Sequence, residues 1–182
     1  MTFNPTIHRR KSIRLKGYDY SKAGLYFITV CTHNRVPLFG EIVDGQMQFN
    51  ESGIVADEEW RKTEHIRSNI VLHEFVIMPN HVHGIIELVG AHCMRPHGIR
   101  PECADSDEQP GRVQRAPTVG DIVRGFKSSV TKRLNAISCT SGQRFWQRNY
   151  YEHIIRNEAA YLKIAEYIQT NPQRWEEDTY HV

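Results

Sequence analysis

The chain reads as an α+β protein with a largely antiparallel sheet covered by helices, and three observations lead there. Runs rich in β-branched and aromatic residues, of strand length, lie at Gly24 to His33, Ile70 to Met78, His81 to Leu88 and Tyr150 to Arg156. Helical patterns with recognisable starts run from Glu51 to Arg67, from Thr118 to Ile137 and from Asn157 to Asn171. Their order is strand, hairpin, helix, strand, strand, helix, strand, helix, without internal repeat and with few parallel crossovers.

Each element has a local cause. LYFITVCTH has the composition of a buried strand. Asp44-Gly45, between Ile42-Val43 and Met47-Phe49, is a dipeptide suited to a hairpin turn that needs positive φ. Asn50 caps the next helix, where Ile54, Val55, Glu58 and Trp60 mix apolar and charged positions at roughly helical spacing. Pro79-Asn80 separates the two following strands and predicts an antiparallel pair. Thr118-x-x-Asp121 has capping-box form and opens a helix with Ile122, Val123, Phe126, Val130, Leu134 and Ile137 on one face. Asn157 caps the last helix, which Pro172 is expected to end.

With 182 residues, 40% hydrophobic and 24% charged, the chain suits one domain over 1–182 with a proper core. Its apolar runs are only a few residues long, and charges stand where a secretory signal would need its apolar segment. The expectation is therefore a cytoplasmic protein with no membrane association. Cys31, Cys93, Cys103 and Cys139 form no C-x-x-C pair, which argues for free thiols. His92, Cys93, His97 and Cys103 are too irregularly spaced for a standard zinc site. The net charge is +2, but His8, Arg9, Arg10, Lys11, Arg14 and Lys16 all precede the first acid, Asp19. This N-terminal arm, residues 1–18, is either a solvated terminus or a phosphate-contacting one. Residues 89–117 hold four of the eight prolines and read as a flexible insertion.

Two places could carry chemistry. Strand residues two apart share a face, so His81 and His83 present both imidazoles to one side while Val82 faces the other. Strand histidines are often mere polar surface. Here the pair lies in an apolar strand bounded by Met78 and Ile85-Ile86, where unpaired imidazoles are costly, and that context strengthens the reading of a shared cation. On the last helix, Tyr161, Ile164, Ala165 and Ile168 form an apolar stripe, with Tyr167 and Asn171 one turn apart along its edge. Spacing leaves Tyr167 open to packing or catalysis. In the Thr118 helix, Arg124, Lys127, Ser128, Thr131 and Lys132 oppose the apolar face, and no acid follows Asp121. That face is either solvated surface or a set of phosphate contacts.

The stretches GLYFITVCTHNR, FVIMPNHVHGII, FWQRNYYEHIIRN and YIQTNP, in this order and covering most of residues 14–175, resemble the HUH-type single-tyrosine transposases. Within that class the likeness is to REP-associated tyrosine transposases and related insertion-sequence transposases. The resemblance implies a ferredoxin-like (RRM-like) antiparallel sheet flanked by helices, the HUH-type nuclease fold. It implies His81 and His83 as ligands of a divalent metal, Mg2+ or Mn2+, with Asn171 as third ligand and Tyr167 as nucleophile. The implied reaction is cleavage and rejoining of single-stranded, hairpin-bearing or palindromic DNA through a 5′-phosphotyrosine intermediate, by a monomer or homodimer. DNA would be held by Arg9, Arg10, Lys11 and Arg14 of the arm and by Arg124, Lys127 and Lys132. Tyr150 and Tyr151 are adjacent and there is no Tyr-x-x-x-Tyr pair, which fits the single-tyrosine class; His153 is a candidate to support the metal ligands by hydrogen bonding.

Two other readings use the same residues. One is a hairpin-DNA-binding protein without catalysis, against which the intact His81, His83 and Tyr167 argue. The other is a histidine-triad nucleotide hydrolase, which would want a histidine where the chain has Ile85.

Overall fold

The computed structural model describes residues 22–89, 117–140 and 142–181. The arm residues Arg9, Arg10, Lys11 and Arg14, the cluster His92, Cys93, His97 and Cys103, and all of the 89–117 insertion except its two end residues lie outside the described residues.

Strand β1 is Gly24–Cys31, the hairpin is β2 (Gly40–Val43) and β3 (Gln46–Phe49), and helix α1 is Glu51–Ile66. Then come β4 (Ile70–Met78), β5 (His81–Leu88), α2 (Val119–Ile137), β6 (Tyr151–Ile155) and α3 (Glu158–Thr170). The caps work as their residue types dictate. Asn50 accepts from Gly53 N–H, Asn157 accepts from Ala160 N–H, and Thr118 and Asp121 complete a reciprocal capping box. At the hairpin tip, Asp44 (φ 52°) and Gly45 (φ 71°) both adopt the positive φ that a tight antiparallel turn requires.

The main sheet has the order β4-β5-β1-β6, with every neighbouring pair antiparallel. Setting the β2–β3 hairpin aside, the succession is βαββαβ, the ferredoxin-like arrangement. Neighbours are antiparallel, so β1 and β4 run the same way, as do β5 and β6, and α1 and α2 are the crossovers that joining them requires. Alternation along the strands then splits the molecule into two layers. Tyr26, Ile28, Val30, Val82, Ile86 and Leu88 face α1 and α2, where Trp60, Val123, Phe126 and Val130 complete the larger core. The opposite face carries Phe27, Ile85 and Ile155, covered by Ala165 and Ile168 of α3.

Two details depart from expectation. Helix α3 ends at Thr170, as Pro172 predicts, but the chain goes on in a 3₁₀ segment, Asn171–Glu177, because proline at a first-turn position forfeits only an N–H that has no partner there. Ile137 is exposed at the last turn of α2, beyond the reach of the core.

Candidate active site

His81 and His83 lie on the α3 side of the sheet, paired across the ladder with Cys31 and Thr29 of β1, and both are almost wholly buried. The tautomer of His81 follows from its neighbours. Asn80 donates both amide protons to backbone carbonyls, of Arg35 (3.2 Å) and Tyr180 (2.8 Å), so its Oδ1 is left to accept from His81 Nδ1–H at 2.8 Å. The His81 lone pair is thereby on Nε2, a buried atom with no hydrogen-bond partner among the described residues. Thr29 Oγ1 shares a hydrogen bond with His83 Nδ1 at 2.8 Å. His83 Nε2 faces the Tyr167 hydroxyl at 3.1 Å.

Helix α3 and the 3₁₀ segment after it bring the rest. Asn171 is buried; its Nδ2 donates to Asp178 Oδ2 at 2.6 Å, while its Oδ1 has no hydrogen-bond partner among the described residues. Asp178 Oδ2 also stands 3.3 Å from the Tyr167 hydroxyl, and its Oδ1 accepts from Tyr180 N–H at 2.6 Å. The Tyr167 hydroxyl therefore has two partners, His83 Nε2 and Asp178 Oδ2. Around them, Tyr180 lays its ring 4.7 Å from that of His81, and Arg35 lies over Tyr180 while donating to Thr179 O at 3.1 Å.

Burial, with Arg35 adding to it, pushes the His81 imidazolium down to about 3. Burial and then the His81 charge hold His83 well below its ordinary range, against a smaller upward pull from Asp178. Both imidazoles are thus neutral at physiological pH. The Tyr167 phenol is pushed above its ordinary value by burial and then by the Asp178 charge. Such a set is rich in acceptors and poor in protons: two imidazole lone pairs, an orphaned amide oxygen and a carboxylate. Ligand-capable atoms of His81, His83 and Asp178 lie within 4.8 Å of one another, and each histidine has its other nitrogen hydrogen-bonded, as metal-ligating histidines do. These residues fit a divalent cation.

The four residues His81, His83, Tyr167 and Asn171, picked out from sequence, are thus brought together. Asp178 and Tyr180 belong to no motif or periodic pattern that would single them out in sequence. Their contacts depend on the chain folding back after Pro172, for which neither periodicity nor motif gives a signal. The remaining candidates stand apart. Lys127 donates to the carbonyls of Gln147 (2.8 Å) and Asn149 (3.0 Å), and burial lowers its ammonium to about 8. Arg124 pairs with Asp121 at 2.6 Å, and Lys132 is exposed. His153 is exposed on the edge strand β6, opposite Phe27, and has no hydrogen bond to His81 or His83.

No family model matches the chain. An uncharacterized protein of Haemophilus influenzae (strain Rd) is 46% identical over 183 residues, spanning 99% of this chain and 97% of that protein. Among solved structures, a REP-associated tyrosine transposase bound to a REP hairpin superposes with a TM-score of 0.56 at 22% identity, covering 89% of this chain and 74% of that one. A candidate transposase from Deinococcus radiodurans R1 gives a TM-score of 0.46 at 16% identity, covering 86% of this chain and 95% of its own. At such identities the first of these likenesses is one of fold. Among the described residues no helix is long and apolar enough to cross a membrane.

Proposed function

The chain belongs to one family with the Haemophilus influenzae protein and has the fold of a tyrosine transposase, and from that premise we propose that it is a single-strand DNA transesterase acting on hairpin-bearing DNA. One observation carries the reading: the Tyr167 hydroxyl stands 3.1 Å from His83 Nε2, inside a cluster of lone pairs that suits a cation. A phenol so placed is poised beside any phosphate that shares the cluster.

In this reading Tyr167 Oη attacks the scissile phosphorus. An Oη–P bond forms, the P–O3′ bond breaks, and the products are a 5′-phosphotyrosine and a free 3′-hydroxyl. A later 3′-hydroxyl attacks the same phosphorus and releases the tyrosine, so the phosphoester energy is conserved and no nucleotide cofactor is consumed. His81, His83 and Asn171 would hold the metal, with Asp178 as an additional oxygen donor. A bound Mg2+ or Mn2+ supplies charge neutralisation at the phosphate, and imidazole ligands favour manganese. Asn80 and Thr29 keep the imidazole lone pairs aimed inward. Asn171, one turn beyond Tyr167 on the same helical path, ties the register of the phenol to that of the ligand set.

These side chains all meet within one chain, which supports action by a monomer, with Tyr167 serving its own histidines. The experiment is covalent capture. Labelled hairpin DNA with manganese is expected to yield a complex that survives denaturation, and Tyr167→Phe is expected to abolish it. Hairpin binding without capture would leave only the non-catalytic reading.

A further inference from the structure

Tyr150 and Tyr151 are neighbours in sequence and go to opposite faces of the sheet. Tyr150 packs against the larger core and donates its hydroxyl to Glu152 Oε2 at 2.6 Å. Tyr151 turns to the face that carries His83 and Tyr167, pairs across the ladder with Thr29, and is 50% exposed. Its hydroxyl has no hydrogen-bond partner among the described residues, and its one ring contact there is edge-on to Phe27, with centroids 6.2 Å apart. Phe27 is the common neighbour: it stacks on His83 at 5.3 Å and meets Tyr167 edge-on at 6.3 Å. The result is a row of rings leading from the sheet edge to the candidate nucleophile, with its outermost member open.

Two further facts favour a ligand over simple packing. Helix α3 packs chiefly on β4 and β5, and of the β6 residues on this face Ile155 is buried while Tyr151 and His153 are exposed. Glu152, the acid of β6, is on the other face with Tyr150, so no carboxylate of that strand borders the Tyr151 ring and repels a nucleic-acid backbone. An exposed aromatic on an RRM-like sheet suits the π-face of an unpaired base, and stacking of this kind tolerates any base.

We propose that Tyr151 is the stacking platform for the unpaired base beside the scissile phosphate. It binds substrate and takes no part in the bond exchange. The proposal rests on the transesterase reading for its substrate class, but its test is separate.

The test uses the full chain carrying Tyr167→Phe, so that no bond is exchanged, and an oligothymidylate with one aminopurine as fluorescent probe. Added protein is expected to quench the probe. A further Tyr151→Ala change is expected to remove the quench and weaken binding about tenfold, Tyr151→Phe to restore both relative to alanine, and Tyr151→Leu to restore neither. The leucine arm separates stacking from packing, and thermal unfolding verifies that each variant is folded. Quenching and affinity unchanged in Tyr151→Ala, or restored equally by leucine, overturn the proposal. If the unsubstituted chain still captures hairpin DNA covalently in that case, the platform falls and the transesterase reading stands. Tyr151-dependent quenching without covalent capture has the opposite meaning.

Discussion

At the scale of single residues, the account turns on lone pairs. His81 titrates near 3 in the folded chain and returns to its ordinary value of 6.5 when unfolded. Between those values the unfolded chain binds a proton that the folded chain refuses, so stability falls as pH drops through the window and is regained above it. His83 is shifted in the same direction. For His81 alone the loss across the full window is on the order of 5 kcal/mol. The metal-free protein is therefore expected to show a thermal midpoint that declines from about pH 6.5 downward, and His81→Gln to flatten that decline; an unchanged slope in the variant would contradict the neutral, buried imidazole. His81, His83, Tyr167 and Asn171 were legible in sequence because each belongs to a short local pattern or to the family stretches. Asp178 was not legible. It reaches Asn171 and Tyr167 only through the 3₁₀ segment after Pro172, and the strap is secured by Asn80 holding the Tyr180 carbonyl, a contact 100 residues apart in sequence.

At the scale of elements, local chemistry decided most boundaries. The Pro79-Asn80 break delimits β4 and β5 at Met78 and His81, where the sequence predicts it, and three side-chain caps start the three helices. The place of the helices was harder to foresee, because which sheet face each covers depends on the strand order. Strand β5 shows why that matters: Gly84 lies between the two histidines and the apolar end of the strand, facing Trp60. A Cβ at Gly84 would stand 2.6 Å from Trp60 Cζ2 and 3.3 Å from Phe75 Cβ. Gly84→Ala is thus expected to destabilise the fold by about 1–3 kcal/mol through overpacking, read from the midpoint of denaturant unfolding. A variant as stable as the parent would mean that Trp60 does not pack on β5 as described.

At the scale of the molecule, the sheet separates two tasks. The α1–α2 side holds the larger core, and the α3 side holds the smaller core together with the histidines, Tyr167 and the ring row that ends at Tyr151. Tyr167 meets the histidines of its own chain, so a mixture of His83→Ala and Tyr167→Phe proteins is expected to capture no DNA; restored capture on mixing would show that the helix crosses to a second copy. The class of fold was legible from element order, and the completion of the site within one chain was not, since sequence spacing carries no distance between β5 and α3. The central claim, that Tyr167 becomes joined to DNA at this cation site, is tested most directly by digesting the captured complex and locating the nucleotide mass. The account predicts a 5′-phosphate link on the peptide containing Tyr167, lost in His83→Ala. A nucleotide on Tyr151, Tyr180 or any other residue, or cleaved DNA with no covalent product, would contradict it.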